Sequence, residues 1–245
     1  MKVAILSDIH GNLQALEAVL ADMRAAGAQQ VYCLGDVVGY GANPNECCAR
    51  VADLAEACVL GNHDEAALGQ GSLEYFNSVA KMAALWTMKV MDAPTRDYLQ
   101  RAPMTFPLVA GEHQALLVHA SPDHPADWHY IISEHDARAA FEHCTERLIF
   151  VGHSHAPGIF TLAGSEVGVL RTAACTLAPG TRYLVNDGSV GQPRDGDPRA
   201  AWCLFDAQAG TLEVRRVAYD VGAAQAAIRG AQLPEILASR LAWGE

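Results

Sequence analysis

The chain has 245 residues, of which 51% are hydrophobic and 18% charged, and its 28 acidic and 17 basic side chains give a formal net charge of −11. This length suits a protein that buries most of its apolar surface, and the apolar share excludes an intrinsically disordered chain. The negative charge argues against binding of long DNA or RNA, whose phosphate backbone would be repelled. Small anionic substrates are compatible with it, because bound metal ions outweigh a diffuse negative surface.

Seven cysteines occur without C-x-x-C spacing, which is typical of reduced, buried thiols in a cytoplasmic protein. The N-terminus has only a short apolar run before Asp8, unlike a signal peptide. No stretch approaches the ~20 apolar residues that a membrane span requires. We therefore expect a cytoplasmic protein that does not span a membrane.

Short apolar runs alternate with helix-like segments in the first sixty residues. The apolar pattern predicts strands at 3–6, 31–34 and 58–60 and helices at 13–26 and 44–55. Unalternating apolar runs are typical of strands buried on both faces, and spacings of three and four are typical of helices. Strands that alternate with helices predict βαβ units and a largely parallel sheet.

The segment 65–105 interrupts this alternation, and its residues 72–91 are helical in composition. Two interpretations are open at this point. The segment either adds a helical layer to the core or forms a cap over a site at the strand ends.

The second half of the chain begins with a predicted strand at 115–118, a helix at 134–143 and a strand at 148–151. Short apolar runs follow at 158–162, 167–170, 183–185, 201–205 and 212–217. Their spacing predicts antiparallel pairing, so we expect this half to build a second sheet. A helical segment at 223–241 is expected to pack on the fold. No linker or repeat divides the chain, which indicates a single domain over 1–245 with a cap-like helical insertion at about 65–105.

Polar side chains follow five of the predicted strands directly. The carboxyl ends of strands in an open α/β sheet lie along one edge, where ligands bind. The set contains three carboxylates, one amide and five histidines, which are Asp8, Asp36, Asp64, Asn62, His10, His63, His119, His153 and His155. Such a set without thiolates suits Mn, Fe or Zn. Its size exceeds the needs of one tetrahedral ion and fits two ions that share a carboxylate, an arrangement used for displacement at phosphorus.

These residues occur in five short motifs, which are Asp8-Ile9-His10-Gly11, Gly35-Asp36, Gly61-Asn62-His63-Asp64, His119 and Gly152-His153-Ser154-His155. In this order and spacing they resemble the motifs of the calcineurin-like metallophosphoesterase superfamily. The segment 186–194 resembles its small prokaryotic, phosphodiesterase-like branch. The resemblance implies an α/β (α+β) fold, a four-layer αββα sandwich of two mixed β-sheets flanked by helices.

The resemblance also implies a role for each motif residue and a cofactor of two transition-metal ions per chain, of Mn, Fe or Zn. Its ligand sets are Asp8, His10 and His155 for the first ion, and Asn62, His119 and His153 for the second, with Asp36 bridging both. A hydroxide that bridges the ions would attack phosphorus. His63 corresponds to a histidine near the leaving group, to which it would donate a proton or a hydrogen bond.

One motif departs from the protein Ser/Thr phosphatases of this superfamily, which read G-D-x-V-D-R-G after the second strand. Gly39 replaces the aspartate that orients the catalytic histidine there, and Tyr40 replaces a phosphate-binding arginine. This departure argues against protein phosphatase activity and leaves Asp64 or a backbone carbonyl to orient His63. Tyr40 and Arg194 are candidate substrate-binding residues. The alternatives are that Tyr40 fills a turn and that Arg194 forms a structural salt bridge.

We expect a metal-dependent phosphoesterase that hydrolyses phosphodiester or nucleotide phosphoanhydride bonds in small, nucleotide-like substrates, including dinucleoside polyphosphates. The alternatives are a small-molecule phosphomonoesterase or protein phosphatase, and a non-catalytic scaffold of the same fold. A scaffold would have lost metal ligands, whereas every ligand position is filled here. The natural substrate, the metal and the oligomeric state do not follow from the sequence.

Overall fold

The computed structural model describes all 245 residues, and its strands form two six-stranded sheets. The strands are β1 (Lys2–Leu6), β2 (Gln30–Cys33), β3 (Ala57–Cys58), β4 (Thr105–Ala110), β5 (His113–Val118), β6 (Leu148–Val151), β7 (Gly158–Ala163), β8 (Glu166–Leu170), β9 (Ala174–Thr176), β10 (Thr181–Asn186), β11 (Ala200–Asp206) and β12 (Thr211–Val217). The helices are α1 (Leu13–Ala26), α2 (Pro44–Leu54), α3 (Asn62–Ala67), α4 (Ser78–Val90), α5 (Ala93–Leu99), α6 (Glu134–His143), α7 (Val221–Gly230) and α8 (Glu235–Ser239). Short 3-10 helices occur at Leu73–Tyr75, Pro125–Asp127 and Arg240–Ala242.

Helix α1 spans the predicted residues because both of its ends carry strong local signals. The side chain of Asn12 accepts a hydrogen bond from the backbone N–H of Ala15 at 3.1 Å and caps the first turn. Gly27 adopts a left-handed conformation with φ of +75° and ends the helix. The side chains at positions 16, 19, 20 and 23 form the buried face, as the apolar spacing predicts.

Both sheets contain parallel and antiparallel strands. The first has the order β3-β2-β1-β11-β12-β9, and its strands β1, β2 and β3 are parallel, as the predicted βαβ units require. The second has the order β4-β5-β6-β10-β7-β8, and its strands β5, β6 and β10 are parallel. Helices flank the two sheets, so the expected sandwich of two mixed sheets is confirmed.

The second sheet is built from residues 105–186, as expected of this part of the chain, but the later strands β11 and β12 and the short strand β9 belong to the first sheet. In the first sheet, β11 pairs antiparallel with β1 and with β12. In the second sheet, β10 pairs parallel with β6. The reason lies in the burial of β11 on both faces. Trp202 contacts the cluster under α1, whereas Cys203 and Phe205 lie in the cluster between the sheets. A strand of this kind is stable in the middle of a sheet, and β1 supplies its neighbour.

The layers are held together by apolar clusters on alternate faces of the strands. In β1, Val3 and Ile5 point between the two sheets, whereas Ala4 and Leu6 face the helices α1 and α2. In β6, Phe150 lies between the sheets, and its neighbours in the strand pack against α6. Because successive side chains of a strand point to opposite faces, one strand contributes both to the core between the sheets and to the packing under the outer helices.

The segment 65–105 contributes to packing in two places. Met91 and Leu99 belong to the core cluster beneath α1 and α2. Ala83 packs in a separate cluster with Ala224 of α7 and Leu237 of α8. The last helices therefore rest partly on this segment. None of the helices of the structure is long and apolar enough to cross a membrane.

Candidate metal centre and the adjoining cavity

Six of the seven predicted metal-binding residues lie in loops or turns that follow strands, and the seventh, Asn62, begins helix α3. Both sheets contribute to the set. The first sheet supplies Asp8 and His10 after β1, Asp36 after β2 and Asn62 after β3. The second sheet supplies His119 after β5 and the pair His153 and His155 after β6. The carboxyl ends of strands from both sheets therefore meet at one place.

Five of these residues adopt a left-handed backbone conformation. The φ angles are +51° at Asp8, +50° at His10, +51° at Asp36, +64° at His153 and +58° at His155. Residues other than glycine rarely adopt this backbone conformation, which persists where surrounding contacts stabilise it. The N–H of His10 donates to the carbonyl of Asp36 at 2.9 Å, which joins the loops after β1 and β2.

The first group of candidate ligands consists of Asp8, His10 and His155. All three are buried, and their ligand atoms lie within 4.8 Å of one another. Nε2 of His155 is 3.2 Å from Oδ1 of Asp8 and 3.1 Å from Nε2 of His10. This group could hold one metal ion.

The second group consists of Asp36, His119 and His153, again buried and with ligand atoms within 4.8 Å of one another. Nε2 of His119 is 3.4 Å from Oδ2 of Asp36 and 3.2 Å from Nδ1 of His153. The side-chain oxygen of Asn62 lies 3.2 Å from the same Nε2 and so joins this group.

Asp36 lies between the two groups. Its Oδ2 is 3.7 Å from Nε2 of His10 and 3.4 Å from Nε2 of His119. Its Oδ1 accepts a hydrogen bond from the backbone N–H of His63 at 2.8 Å, which orients the carboxylate. A single oxygen therefore faces both groups.

Backbone carbonyls set the tautomers of three of the histidines. Nδ1 of His10, His119 and His155 lies 3.1, 2.8 and 2.6 Å from the carbonyls of positions 38, 34 and 192. Because a carbonyl only accepts, each Nδ1 carries hydrogen and each Nε2 presents a lone pair to the centre. Nε2 of His10 lies 3.1 Å from Nε2 of His155, and two lone pairs cannot hydrogen-bond each other. They fit two ligands of one ion, which at metal–nitrogen distances of about 2.0–2.1 Å lie about 3 Å apart.

The charges of the centre also fit bound cations. Oδ1 of Asp8 and Oδ2 of Asp36 are buried and have no hydrogen-bond partner, which is costly unless a cation compensates them. Burial lowers the pKa of His153 to about 3, so this imidazole is neutral and able to bind a metal. Burial also opposes protonation of His119, but without an ion the charge of Asp36 raises its pKa to about 10. Binding of a cation beside Asp36 would therefore displace this proton and free the Nε2 lone pair. The residues therefore fit two ions of the Mn, Fe or Zn type.

A hydrogen-bonded chain behind Asp8 escaped the sequence analysis. Oγ of Ser7 lies 2.6 Å from Oδ2 of Asp8 and 2.8 Å from Oδ1 of Asp187, and all three residues are fully buried. Burial raises the pKa of Asp187 well above its usual range, so its protonated form can donate to Ser7. Ser7 is then free to donate to Asp8 and fix its orientation.

His63 lies beside the centre and belongs to neither group. Its ring centroid is 4.9 Å from that of His10, 4.3 Å from that of Tyr40 and 4.7 Å from that of Phe76. Nδ1 is buried without a hydrogen-bond partner. Burial lowers the pKa of His63 to about 4, so the ring is neutral at physiological pH.

Neither Asp64 nor a backbone carbonyl orients His63, contrary to the sequence-based suggestion. The two oxygens of Asp64 accept hydrogen bonds from the backbone N–H groups of Val38 and Gly61, at 3.1 and 3.3 Å. Gly39 has φ of +93°, and a Cβ there would lie 2.8 Å from Nδ1 of His63. The space that an orienting aspartate would need is therefore occupied, and aromatic packing holds the ring.

A cavity of about 380 Å³ opens beside the centre. Its lining includes three residues of the site, Asn62, His63 and His153, and both predicted substrate-binding residues, Tyr40 and Arg194. The other main wall residues, which no motif in the sequence indicates, are Tyr75, Phe76, Trp128, Tyr130 and Arg240. A second cavity of about 370 Å³ shares several of these aromatic walls and extends the space beyond the metal centre.

Tyr40 and Arg194 contact each other in this wall. The guanidinium carbon of Arg194 lies 5.6 Å from the centroid of the Tyr40 ring, and Nη2 donates to Oε1 of Gln192 at 2.8 Å. No carboxylate pairs with Arg194, so the structure gives no support to a structural salt bridge. Tyr40 has φ of +54° and is 7% exposed, so it fills the turn and also lines the cavity.

Comparisons with known proteins agree with this geometry. Residues 1–210 match the family model of the calcineurin-like phosphoesterase superfamily domain. An uncharacterized protein of Methanocaldococcus jannaschii is 41% identical over 242 residues, which cover 99% of this chain and 98% of that protein. The crystal structure of a metallophosphoesterase from Sphaerobacter thermophilus is similar with a TM-score of 0.84 and 40% identity, over 100% of this chain and 99% of that chain.

A hypothetical protein from Pyrococcus horikoshii OT3 shares the fold, with a TM-score of 0.80 and 21% identity over 100% of this chain and 98% of that chain. The family resemblance predicted from the five motifs is thus confirmed by sequence and by structure. The chain belongs to the calcineurin-like phosphoesterase superfamily.

Proposed function

We propose that this protein is a two-metal phosphoesterase that hydrolyses phosphodiester or nucleotide phosphoanhydride bonds in small substrates. The proposal rests above all on the two buried ligand groups that share Asp36 and open into a cavity. One ion would be held by Asp8, His10 and His155, and the other by Asn62, His119 and His153, with Asp36 between them.

The bound ions would supply Lewis acidity toward phosphoryl oxygens and would lower the pKa of water. The chain itself orients most of the ligands before an ion arrives. Backbone carbonyls turn the Nε2 atoms of three histidines toward the centre, and the N–H of His153 donates to Oδ2 of Asp8 at 2.9 Å. Such preorganisation reduces the cost of arranging charged groups during the reaction.

His63 would act on the leaving group from the wall of the cavity. The ring packs against Tyr40 and Phe76 and lines the same space as Asn62. Because its pKa is about 4, the neutral ring would donate a hydrogen bond to the departing oxygen and would not supply a full imidazolium proton.

The size and walls of the cavity support a nucleotide-like substrate. A volume of about 380 Å³ falls in the range of small-molecule sites, and its aromatic walls suit stacking on a base. Tyr75 and Phe76 come from the segment 65–105. We therefore assign that segment as a cap-like insertion within one domain over 1–245.

The test is hydrolysis of a mixed nucleotide and phosphodiester panel by metal-stripped protein refilled with Mn, Fe, Zn or Mg. We expect activity to return with a transition metal and two ions to bind per chain. His119→Ala should bind fewer ions, whereas His129→Ala, an exposed histidine outside the groups, should behave as wild type. Failure to bind metal would refute the proposal, and binding of two ions without any turnover would favour the scaffold alternative.

A further inference from the structure

Two arginine side chains line the cavity beside the metal centre. Arg194 lies in the loop after β10, and Arg240 begins the last 3-10 helix, after α8. Both side chains are half-buried. Two distant parts of the chain therefore bring positive charge to one wall.

Neither guanidinium forms an ion pair with an aspartate or glutamate side chain. Arg194 donates to Gln192 at 2.8 Å, and its Nε is buried without a partner. Arg240 donates from Nε to the main-chain oxygen of Glu245, the last residue of the sequence, which leaves its two terminal nitrogens without a carboxylate partner. The remaining guanidinium donors of both residues are therefore available for an anion.

Five other arginines of this acidic chain form ion pairs with a carboxylate side chain, which Arg194 and Arg240 do not. Arg229, for example, pairs with Glu235 at 2.6 Å in the same C-terminal region. Burial and the neighbouring charge of Arg194 lower the pKa of Arg240. Two like charges held together are unfavourable unless an anion binds them. The planar guanidinium matches the oxygens of a phosphate group in particular.

Tyr40 connects the arginines to the reacting centre. The centroid of its ring is 4.7 Å from that of His10 and 4.3 Å from that of His63, and Arg194 lies on the same ring at 5.6 Å. An anion bound by the arginines would therefore lie one aromatic ring away from His63, on the side proposed for the leaving group.

We propose that Arg194 and Arg240 bind a second phosphate group carried by the leaving group. The preferred substrates would then be nucleoside polyphosphates rather than phosphodiesters with an uncharged leaving alcohol. This inference rests on the proposed phosphoesterase function and narrows its substrate class. In the reaction, the oxygen of water bonds to the attacked phosphorus and the bond to the bridging oxygen breaks. The electron pair stays on the departing phosphate, and one proton of water passes to it or to solvent.

The kinetic test compares thymidine 5′-triphosphate with the p-nitrophenyl ester of thymidine 5′-phosphate in metal-loaded protein. We expect the ratio of kcat/KM for triphosphate over ester to fall about 10- to 100-fold in Arg240→Gln and in Arg194→Gln, as for loss of a charged hydrogen bond. Arg240→Lys should fall less, because it keeps the charge. Arg229→Gln removes an exposed positive charge from the same region and should leave the ratio unchanged. An equal loss on both substrates would mean that the arginines hold the attacked phosphate or only the fold, and would overturn the inference.

A binding test requires no turnover. Inorganic pyrophosphate is titrated calorimetrically into metal-stripped protein, and we expect weaker binding in Arg240→Gln and Arg194→Gln but not in Arg229→Gln. Equal binding by all four proteins would overturn the inference. If the wild type hydrolyses neither the triphosphate nor the ester with any metal, the proposed function fails. The pyrophosphate titration then still tests whether the two arginines bind a phosphate group. If the wild type hydrolyses both and the ratio is unchanged in the variants, only this inference fails.

Discussion

The metal centre and the outer walls of the cavity beside it are built from different parts of the chain, although Asn62 and His153 belong to both the centre and the cavity lining. The candidate ligands follow strands of the two sheets directly, and backbone hydrogen bonds tie their loops together. The cavity walls come from the insertion, from the loop after β5 and from the C-terminal segment, as Tyr75, Trp128 and Arg240 illustrate. The candidate ligands thus rest on the sheets, and we expect the outer wall segments to govern the choice of substrate.

This difference predicts two kinds of mutational effect. A change in the centre should alter metal binding or turnover on every substrate. A change in the cavity wall should leave the metals in place and alter the choice of substrate. Substitutions in each region test this division of roles.

The largest effect is expected for Asp36→Asn, which should abolish turnover and bind fewer ions than wild type. Oδ2 faces both ligand groups, so a neutral amide weakens both sites together. Metal content per chain and turnover are the measurements. Asp22→Asn, at a partly exposed carboxylate that pairs with Arg215, is the control and should keep its metals. Two ions per chain in Asp36→Asn would remove Asp36 from the bridging role.

His63→Ala should keep both ions and lose turnover by ~10²- to 10⁴-fold, the range of a general-acid contribution, with the lower end favoured because the ring is neutral. The loss should be smallest for a nitrophenolate leaving group, which needs little help, and largest for an alkoxide. Kinetics on both ester types and metal analysis of the variant test this. Loss of an ion, or an equal loss on both esters, would contradict the assignment.

Local sequence signals were sufficient to predict where most residues of the metal centre lie. The bounds of α1, α6 and β6 and the strand-end positions of Asp8, Asp36 and His153 follow from apolar runs that end in polar motifs. The placement of β11 in the first sheet could not be predicted from the sequence. The order of strands depends on packing against residues that are distant along the chain, and a short stretch of sequence does not contain this information. The same holds for Trp128 and Arg240, whose neighbourhoods carry no motif. The role of Asp64 could not be assigned either, since only the fold shows which backbone N–H groups its side chain meets.

A smaller effect is expected in the cavity wall. Removal of the whole segment 65–105 would expose apolar core around Met91 and Leu99, so a point variant tests the cap better. Tyr75 is 92% exposed and lines both cavities. Tyr75→Ala should raise KM for nucleotides about 2- to 10-fold, as for loss of one aromatic contact, without changing metal content. Val109→Ala, at an exposed apolar residue of β4, is the control. A lost ion in Tyr75→Ala would show that the cap supports the centre.

The smallest effect concerns His63, where the two regions meet. Burial lowers its pKa to about 4, and the charge of Arg194 in the cavity wall lowers it further. In the unfolded chain its pKa returns to about 6.5. Between pH 6.5 and 4 the unfolded chain therefore binds a proton at this residue that the folded protein does not bind. The neutral ring's contribution to stability is then fully present above pH 6.5 and is lost as the pH falls toward 4.

The measurement is the free energy of unfolding of metal-free wild type and His63→Ala at pH 7 and pH 5. Other buried histidines titrate in both proteins, so the difference between the two proteins isolates His63. We expect wild type to lose stability relative to the variant on acidification, by at most about 1.4 kcal/mol per pH unit. In an Arg194→Gln background this pH dependence should shrink, because the pKa of His63 rises once the neighbouring charge is gone. A difference that does not change with pH would mean that His63 is not held neutral. An unchanged dependence without Arg194 would mean that the cavity wall has no electrostatic influence on the centre.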